Sequence, residues 1–303
     1  MNEIQKKILA LKEKNNALIL AHYYQTMDIQ EIAGHVCDSF EMARRAFYAK
    51  EDLLVICGVR FMAESAKIFN PGKTVLLPSS GAGCPMADMI TPEDIIKLRD
   101  LYPGAPVVCY VNSSCAVKAV CDVCCTSSSA EKIVRALPEK RIIFVPDRNL
   151  GAYIASKIPD KEIILFDGCC PIHDRISETD VIIAKKEHPG ASLLVHPECR
   201  EEVLRQADYV GSTAGIINEA LGAPPREYII GTETGTVERL RMMAPEKKFY
   251  PLKSDFICKD MKKIQLSDVL YSLENHEFEI TLETDELMAA RKSLTRMIEL
   301  GDR

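Results

Sequence analysis

The sequence has no apolar run long enough to cross a membrane, and we expect no secretory leader. Its longest apolar runs, such as residues 17–21 and 53–57, have the length of a β-strand, far below the ~20 residues that a membrane-spanning helix needs. Residues 4–14 already show a lysine-rich amphipathic helix pattern where a leader would be apolar. We therefore expect a cytoplasmic protein with no membrane partner.

An excess of basic residues is also missing. The 38 lysines and arginines are outnumbered by 44 aspartates and glutamates, which leaves a formal net charge of −6. Nucleic-acid binders normally present a basic face, so we expect no nucleic-acid partner. An anionic substrate would have to be held by local hydrogen-bond donors, helix N-termini or a metal rather than by bulk charge.

Cysteine, in contrast, is abundant, with twelve residues. A chain of 303 residues can build its own core, so a disulfide framework of the kind found in small secreted domains is not needed. Metal ligation and buried apolar thiols are the remaining interpretations. Because cysteine is among the most often buried residue types, we expect most of the twelve to belong to the core.

Short apolar segments recur three times along the chain with nearly one period. Within each set the segments start 86–89 residues apart, and Cys84, Cys170 and Cys258 follow the last segment of each repeat at spacings of 86 and 88 residues. The three sets of apolar segments and the set of cysteines repeat with the same period, and this agreement predicts three similar units. The sets are residues 18–22, 107–111 and 193–197; residues 53–58, 141–146 and 228–231; and residues 75–78, 163–166 and 249–252.

Helical patterns separate these segments, which is typical of βαβ units with a parallel sheet. Capping patterns predict three helices: one from about residue 28 to about 50, one from about residue 92 to before 104, and one from about residue 178 to near 189–190. We predict an α/β fold of three similar three-layer αβα domains, whose parallel sheets stand in a pseudo-threefold arrangement around a central active site. The predicted domains are residues 1–104, 105–191 and 192–264, with helices in residues 265–303 packing back on the first.

One cysteine from each repeat is expected to reach that centre. Three thiolates suit an iron–sulfur cluster or zinc and leave one coordination position open. Cys84 and Cys170 each precede a proline, a common neighbourhood of cluster ligands. We prefer Cys170 over the adjacent Cys169 because its proline then stands in the same place as the one after Cys84.

The segment from Cys121 to Cys125 contains a C-x-x-C pattern that we assign to the core. No second cysteine pair stands at zinc-ribbon spacing, and a lone pair is a weak signal. Residues 116–125 are interpreted as the buried face of a helix. Cys37, Cys57 and Cys109 lie in apolar stretches and receive the same assignment.

Motifs along nearly the whole chain resemble one enzyme family. They are AHYYQ (21–25), DSFEMAR (38–44), GVRFMAE (58–64), CPMA (84–87), YVNSS (110–114), TSSSA (126–130), PDRNLG (146–151), CPIH (170–173), VHPEC (195–199), DYVGST (208–213), GTETG (231–235) and CKDMKK (258–263). In this order they are similar to quinolinate synthase in its short form, which lacks a C-terminal C-x-x-C-x-x-C.

The resemblance implies a reaction and a cofactor. Iminoaspartate would condense with dihydroxyacetone phosphate, with loss of phosphate and two waters, to give quinolinate for NAD synthesis. One [4Fe–4S] cluster with three cysteine ligands and one open iron site would act as a Lewis acid. An aspartate oxidase or dehydrogenase is the expected source of iminoaspartate. The rivals are another [4Fe–4S] hydro-lyase acting on a different small acid, and a protein with a structural zinc ion.

The resemblance also suggests roles for polar residues at strand and helix ends. Tyr24, Tyr110 and Glu198 are the expected catalytic residues, because isomerisation and dehydration need proton transfer. Hydroxyl groups near helix starts would join helix amides in holding phosphate or carboxylate groups. The expected substrate-binding residues are His22, Ser39, Asn112, Ser127, His196, Ser212 and Thr213; His173 is expected to orient the site, and Cys84, Cys170 and Cys258 to bind the metal.

Overall fold

A computed structural model of the protein describes residues 1–222 and 227–301. Within these residues there are three parallel sheets of four strands each, and every sheet is flanked by helices. The predicted α/β fold of three similar αβα units is therefore confirmed. None of the helices in the two described ranges is long and apolar enough to span a membrane.

The first unit surrounds a sheet in the order β2-β1-β3-β4. Its third strand is buried along its whole length, as expected for a strand with helices on both faces of the sheet. The elements are α1 (Glu3–Lys14), β1 (Ala17–His22), α2 (Met27–Ile32), β2 (His35–Cys37), α3 (Ser39–Tyr48), β3 (Leu53–Cys57), α4 (Arg60–Phe69) and β4 (Thr74–Leu76).

The second unit repeats this arrangement in the order β6-β5-β7-β8. Its first helix begins at the predicted place, where Thr91 caps the helix and Pro92 is its first residue. The elements are α5 (Pro92–Leu101), β5 (Val107–Tyr110), α6 (Cys115–Ala119), β6 (Val123–Cys125), α7 (Ala130–Ala136), β7 (Arg141–Val145), α8 (Arg148–Lys157) and β8 (Glu162–Leu165).

The third unit has the order β10-β9-β11-β12, and the Ser177–Asp180 capping box starts its helix α10 as predicted. Two further helices follow it. The elements are α9 (Pro171–Asp174), α10 (Glu178–Glu187), β9 (Ser192–Val195), α11 (Glu201–Leu204), β10 (Tyr209–Val210), α12 (Thr213–Gly222), β11 (Glu227–Gly231), α13 (Thr234–Met243), β12 (Lys248–Pro251), α14 (Leu266–Asn275) and α15 (Thr284–Gly301).

All nine predicted strands are present, but the prediction of a single helix from about residue 28 to 50 is wrong. The short strand β2 divides it into α2 and α3. Gly34 donates its amide to the carbonyl of Ile19 over 2.8 Å, and His35 then pairs with Leu20 of β1. Because residues 35–37 pair with β1, the backbone N–H and C=O groups on that edge of β1 find hydrogen-bond partners, which a continuous helix would not provide.

The interpretation of residues 116–125 as one buried helix is also wrong. The helix α6 ends at Ala119, and Val123–Cys125 forms the edge strand β6, in which Cys124 pairs with Cys109 of β5. The residues are buried as expected, because an edge strand covered by a helix, here α15, can be as apolar as a buried helix face.

The two C-terminal helices pack in different places. The helix α14 lies against α1 and β3 of the first unit, as predicted. The helix α15 lies mainly on α6, α7 and β6 of the second unit and only partly on α4 of the first. Its Ser293 donates to the carbonyl of Lys118 over 2.9 Å. The expectation that both helices pack back on the first unit is therefore wrong for α15, and the exact domain limits stay a prediction.

Candidate metal centre and active site

A cavity of about 90 Å³ lies where the carboxyl ends of strands from the three sheets come together. Each central strand delivers a residue to its wall. His22 ends β1, Tyr110 ends β5 and His196 directly follows β9. In parallel sheets ligands bind at this edge, so the architecture itself points to the cavity as the functional site.

The three predicted ligand cysteines all line this cavity. Cys84 lies in the loop after β4, Cys170 in the loop after β8 and Cys258 in the loop after β12. Burial raises the pKa of Cys84 to about 12 and that of Cys258 to about 11, and it holds the pKa of Cys170 well above its usual value. Repulsion between thiolates adds to these shifts, from Cys258 on Cys84 and from Cys84 on Cys170.

These thiols fit a metal centre. As thiolates they repel one another. A cation held among them would attract each thiolate and so lower the pKa of each thiol. Burial in a shared cavity also suits soft sulfur ligands better than a solvent-exposed position. Cys170, His173 and Glu198 offer ligand atoms within 4.8 Å of one another, so this wall of the cavity could itself hold a metal ion.

A chain of hydrogen bonds runs along the cavity wall from Tyr110 to Tyr24. The Tyr110 hydroxyl donates to Oε1 of Glu198 over 2.8 Å, and Oε2 of Glu198 lies 2.8 Å from Nδ1 of His173. On the other side of the ring, Nε2 of His173 lies 3.0 Å from Oγ1 of Thr232, which lies 2.7 Å from the Tyr24 hydroxyl. The chain connects groups that can carry protons across the site.

Glu198 is buried but stays ionised. Burial alone raises the pKa of its carboxyl group, but the neighbouring His173 ring and the hydrogen bonds from His173 and Tyr110 outweigh burial and lower the pKa below its ordinary value. In contrast, burial and the Glu198 charge hold the pKa of Tyr110 well above its usual range. The pair is therefore a carboxylate base and a neutral phenol donor at neutral pH.

His22 and His196 are neutral rings, each with one N–H donor. Burial lowers the pKa of both to about 3. The Nδ1 atom of His22 accepts the amide of Tyr24 over 3.1 Å, and Nδ1 of His196 accepts the amide of Glu198 over 3.3 Å. The proton of each ring consequently sits on Nε2, which in His196 lies 3.2 Å from the hydroxyl of Ser127.

Hydroxyl and amide groups complete the wall. Ser39 and Thr213 are the first residues of α3 and α12, and Ser127 lies shortly before α7, so the three units present equivalent helix N-termini to the cavity. The carbonyl oxygen of the Asn112 side chain is buried without a hydrogen-bond partner in the described structure. Helix N-termini and hydroxyl donors are a suitable environment for anionic ligand groups.

The predicted site residues are thus brought together with one exception. Ser212 does not line the cavity; its hydroxyl accepts the Gly215 amide over 3.1 Å and it contacts Asp38. In the described structure it caps the first turn of α12, and its predicted role in substrate binding stays a prediction. The residues that do line the cavity are His22, Tyr24, Ser39, Cys84, Tyr110, Asn112, Ser127, Cys170, His173, His196, Glu198, Thr213 and Cys258.

Four residues in or near the cavity wall were not predicted from the sequence: Asp147, Thr232, Glu233 and Lys262. Asp147 and Glu233 are fully buried, and Nζ of Lys262 lies 3.1 Å from Oε1 of Glu233. A usable signal was present, because both acidic residues stand just after the second apolar segment of a repeat, at the strand end that faces the ligand. A single acidic residue before a helix is normally only a cap, and its burial cannot be read from sequence.

Comparison with known sequences decides the family. The family model described as quinolinate synthetase A protein matches residues 6–299. The chain belongs to this family. The resemblance seen in the sequence motifs is thereby confirmed.

Similar proteins share their full length with this chain. It is 50% identical over 301 residues to the quinolinate synthase of Caldicellulosiruptor saccharolyticus, 48% identical over 299 residues to that of Clostridium perfringens strain SM101, and 47% identical over 300 residues to that of Thermodesulfovibrio yellowstonii. Each comparison covers 99% of this chain and 99% of the relative. The similarity therefore extends over the whole chain rather than over one unit of it.

Proposed function

We propose that the protein is a quinolinate synthase, which condenses iminoaspartate with dihydroxyacetone phosphate and releases quinolinate, phosphate and two waters. The observation that carries this proposal is the meeting of Cys84, Cys170 and Cys258, one from each unit, in the cavity that also holds the Tyr110–Glu198 pair. Membership of the family and the names of the full-length relatives support the same reaction.

The three thiolates would hold one [4Fe–4S] cluster with one iron open to substrate. When bound, the cluster supplies a Lewis acid that polarises oxygen groups of the substrate. Zinc is the competing metal, because three thiolates and a water also satisfy its tetrahedral preference. The cluster is preferred because the motifs around all three cysteines resemble those of quinolinate synthase, the family to which the chain belongs.

The residues of the chain would bind two anionic substrates without an arginine among the cavity-lining residues. The Nε2–H groups of neutral His22 and His196 are donors for carboxylate oxygens, and they stay in this form because their pKa values are lowered to about 3. The N-termini of α3, α7 and α12 would add amide and hydroxyl donors, through Ser39, Ser127 and Thr213. This environment suits a protein with a formal net charge of −6.

Glu198 would be the proton acceptor in the site and Tyr110 its neighbouring donor. The carboxylate is ionised at rest, and the phenol holds one of its oxygens at 2.8 Å. A proton taken up by Glu198 can move along the hydrogen bonds to His173 and Thr232 toward Tyr24. Repeated proton uptake and return is what imine formation and loss of two waters require.

We also propose that the enzyme works in the cytoplasm and that an aspartate oxidase or dehydrogenase supplies its iminoaspartate. All twelve cysteines are free thiols, which agrees with a reducing compartment. The source of iminoaspartate follows from the proposed reaction, because another enzyme has to oxidise aspartate to the imine.

Anaerobic purification followed by iron and sulfide analysis tests the proposal. We expect about four irons per chain, the content of one [4Fe–4S] cluster, and quinolinate formation from the two substrates. The variants Cys84→Ala, Cys170→Ala and Cys258→Ala should each lose the iron. The matched controls Cys121→Ala and Cys124→Ala remove thiols of the second unit that do not line the cavity, and they should keep it.

Two results would contradict the proposal. Stoichiometric zinc without iron would replace the cluster with the zinc interpretation. A normal cluster without quinolinate formation, together with dehydration of another small hydroxy acid, would favour the rival hydro-lyase.

A further inference from the structure

A backbone hydrogen bond ties each cysteine loop to the same place in its unit. The helix after the third strand of the repeat donates its first amide to the carbonyl that stands two residues before the cysteine. This contact occurs in all three units with similar length, so the loops are held in equivalent positions. The pairs are Arg60 to Ala82 at 2.8 Å, Arg148 to Gly168 at 2.8 Å and Thr234 to Phe256 at 3.0 Å.

The residue before each of these helices differs between the units. It is Val59 in the first unit, Asp147 in the second and Glu233 in the third, and each is the N-cap residue of its helix. Oδ2 of Asp147 accepts the backbone amide of Cys170 over 3.1 Å, and Oε1 of Glu233 accepts the backbone amide of Cys258 over 3.3 Å. Val59 has no polar group to offer the corresponding loop.

The two carboxylates do more than cap helices. One oxygen of each is used for the helix, where Oδ1 of Asp147 accepts the Leu150 amide at 2.7 Å and Oε2 of Glu233 accepts the Gly235 amide at 2.7 Å. The second oxygen is left for the cysteine. Both carboxyl groups are fully buried, a costly position for a carboxylate that a serine could avoid if capping were the only requirement.

The neighbourhood of Asp147 connects the cysteine loop with the proposed base. On the same first turn of α8, the Nδ2 group of Asn149 donates to the backbone carbonyl of Glu198 over 2.9 Å. One helix start thus fixes both Cys170 and the segment that carries Glu198. In the third unit Lys262 adds a cation 3.1 Å from Glu233 and donates to the carbonyl of Tyr24.

We propose that Asp147 and Glu233 are positioning residues for the metal, which hold the amides of Cys170 and Cys258 so that both thiols face the cavity before the metal arrives. This inference rests on the proposed function, because it assigns the two cysteines to a metal. Groups that orient metal ligands typically change metal affinity by about 10- to 100-fold when removed. The first ligand loop, next to Val59, is held without such a group.

The test separates capping from cysteine positioning. Asp147→Ser and Glu233→Ser keep an N-cap hydroxyl but are too short to reach the cysteine amide as well. Asp147→Glu and Glu233→Asp keep two oxygens, and each unit shows that the other's residue type can make the contact. Thr91→Ala is the control, because it removes the cap of a helix of the same length that holds no cysteine.

The readout is the rate at which the iron–sulfur absorbance disappears when the anaerobic holoenzyme is challenged with EDTA, together with the iron retained. We expect about 10- to 100-fold faster loss in each serine variant, recovery to within about threefold in Asp147→Glu and Glu233→Asp, and the wild-type rate in Thr91→Ala. Circular dichroism checks folding, and if one serine variant fails to fold, the other decides.

Two results would overturn the inference alone. Serine variants that keep iron at the wild-type rate would show that the carboxylates are not needed for the ligands. Equal losses in the serine variants and in the acidic exchange variants would show that the contact to the cysteine amide is not the cause. Failure of the wild-type enzyme to bind iron would instead contradict the proposed function itself.

Discussion

Replacing Glu198 with glutamine is the sharpest test of the site chemistry. The change keeps the size of the side chain, which is buried between Tyr110 and His173 at 2.8 Å from each. One of its two acceptor oxygens becomes an amide donor, and the negative charge is lost. The Tyr110 hydroxyl can rotate to accept that donor, so the fold should survive while the base is removed.

The size of the effect follows from the role. A positioned general base contributes about 10²- to 10⁴-fold to rate, and each factor of ten corresponds to about 1.4 kcal/mol. We therefore expect kcat of Glu198→Gln to fall by about 10²–10⁴, equal to about 3–5 kcal/mol of transition-state stabilisation. Glu198 lies near Cys170, but it makes no hydrogen bond to any of the three ligand thiols in the described structure and acts on Cys170 only through its charge, so iron content should remain that of the wild type.

Quinolinate formation by iron-matched samples is the assay. Glu202→Gln is the matched control, because it makes the same chemical change on an exposed neighbour outside the cavity, and it should retain full activity. Activity of Glu198→Gln within about threefold of the wild type at equal iron content, well inside the 10²-fold minimum expected for a general base, would refute the assignment. Loss of iron in this variant would mean that the carboxylate supports the metal rather than the proton transfer.

Three further predictions concern stability. The pKa of His196 is lowered to about 3 in the folded protein, so below about pH 6.5 the unfolded chain binds a proton that the folded chain does not. As the pH falls from 5.5 to 4.5, denaturant titrations should therefore show the unfolding free energy of the wild type falling about 1.4 kcal/mol per pH unit faster than that of His196→Gln. Parallel curves for the two proteins would contradict this. Gly151→Ala would place its Cβ 2.5 Å from Leu165 Cδ2 and should cost about 1–3 kcal/mol, whereas Gly72→Ala, with no described atom within 4 Å, should be near neutral in the same titration. Leu294→Ala empties a fully buried position of α15 and should cost about 2–5 kcal/mol; a shift in melting temperature below one degree would show that α15 does not stabilise the second unit.

The repeating strands were predictable because their apolar segments are long enough to stand out. The three strands that were missed, β2, β6 and β10, have only two or three residues and lie at sheet edges. None of the three lies in an apolar run of four residues, unlike the equally short edge strand β4, which the run at residues 75–78 revealed. Each exists because the backbone beside the central strand needs hydrogen-bond partners, which is a tertiary requirement.

The three cysteines could be recognised from their period, but their supporting residues could not. Asp147 and Glu233 look like ordinary N-caps in sequence, and only the fold brings their second oxygen to a cysteine amide. Ser212 illustrates the opposite difficulty. Its hydroxyl belongs to the correct motif but points to the amide of Gly215, because the same residue type serves capping and ligand binding equally well.

The spacing of the cysteines has a consequence for the order of events during synthesis. When the ribosome has released residues 1–191, the nascent chain contains Cys84 and Cys170 but not Cys258. Domains generally fold as units, N-terminal first, but α14 and α15 pack on the first two units, so these units are complete only when residues 266–301 have been made as well. Under the proposed function, loading with iron and sulfide would then be a late event, and a delivery system would have to recognise the folded, nearly finished protein rather than a short cysteine motif.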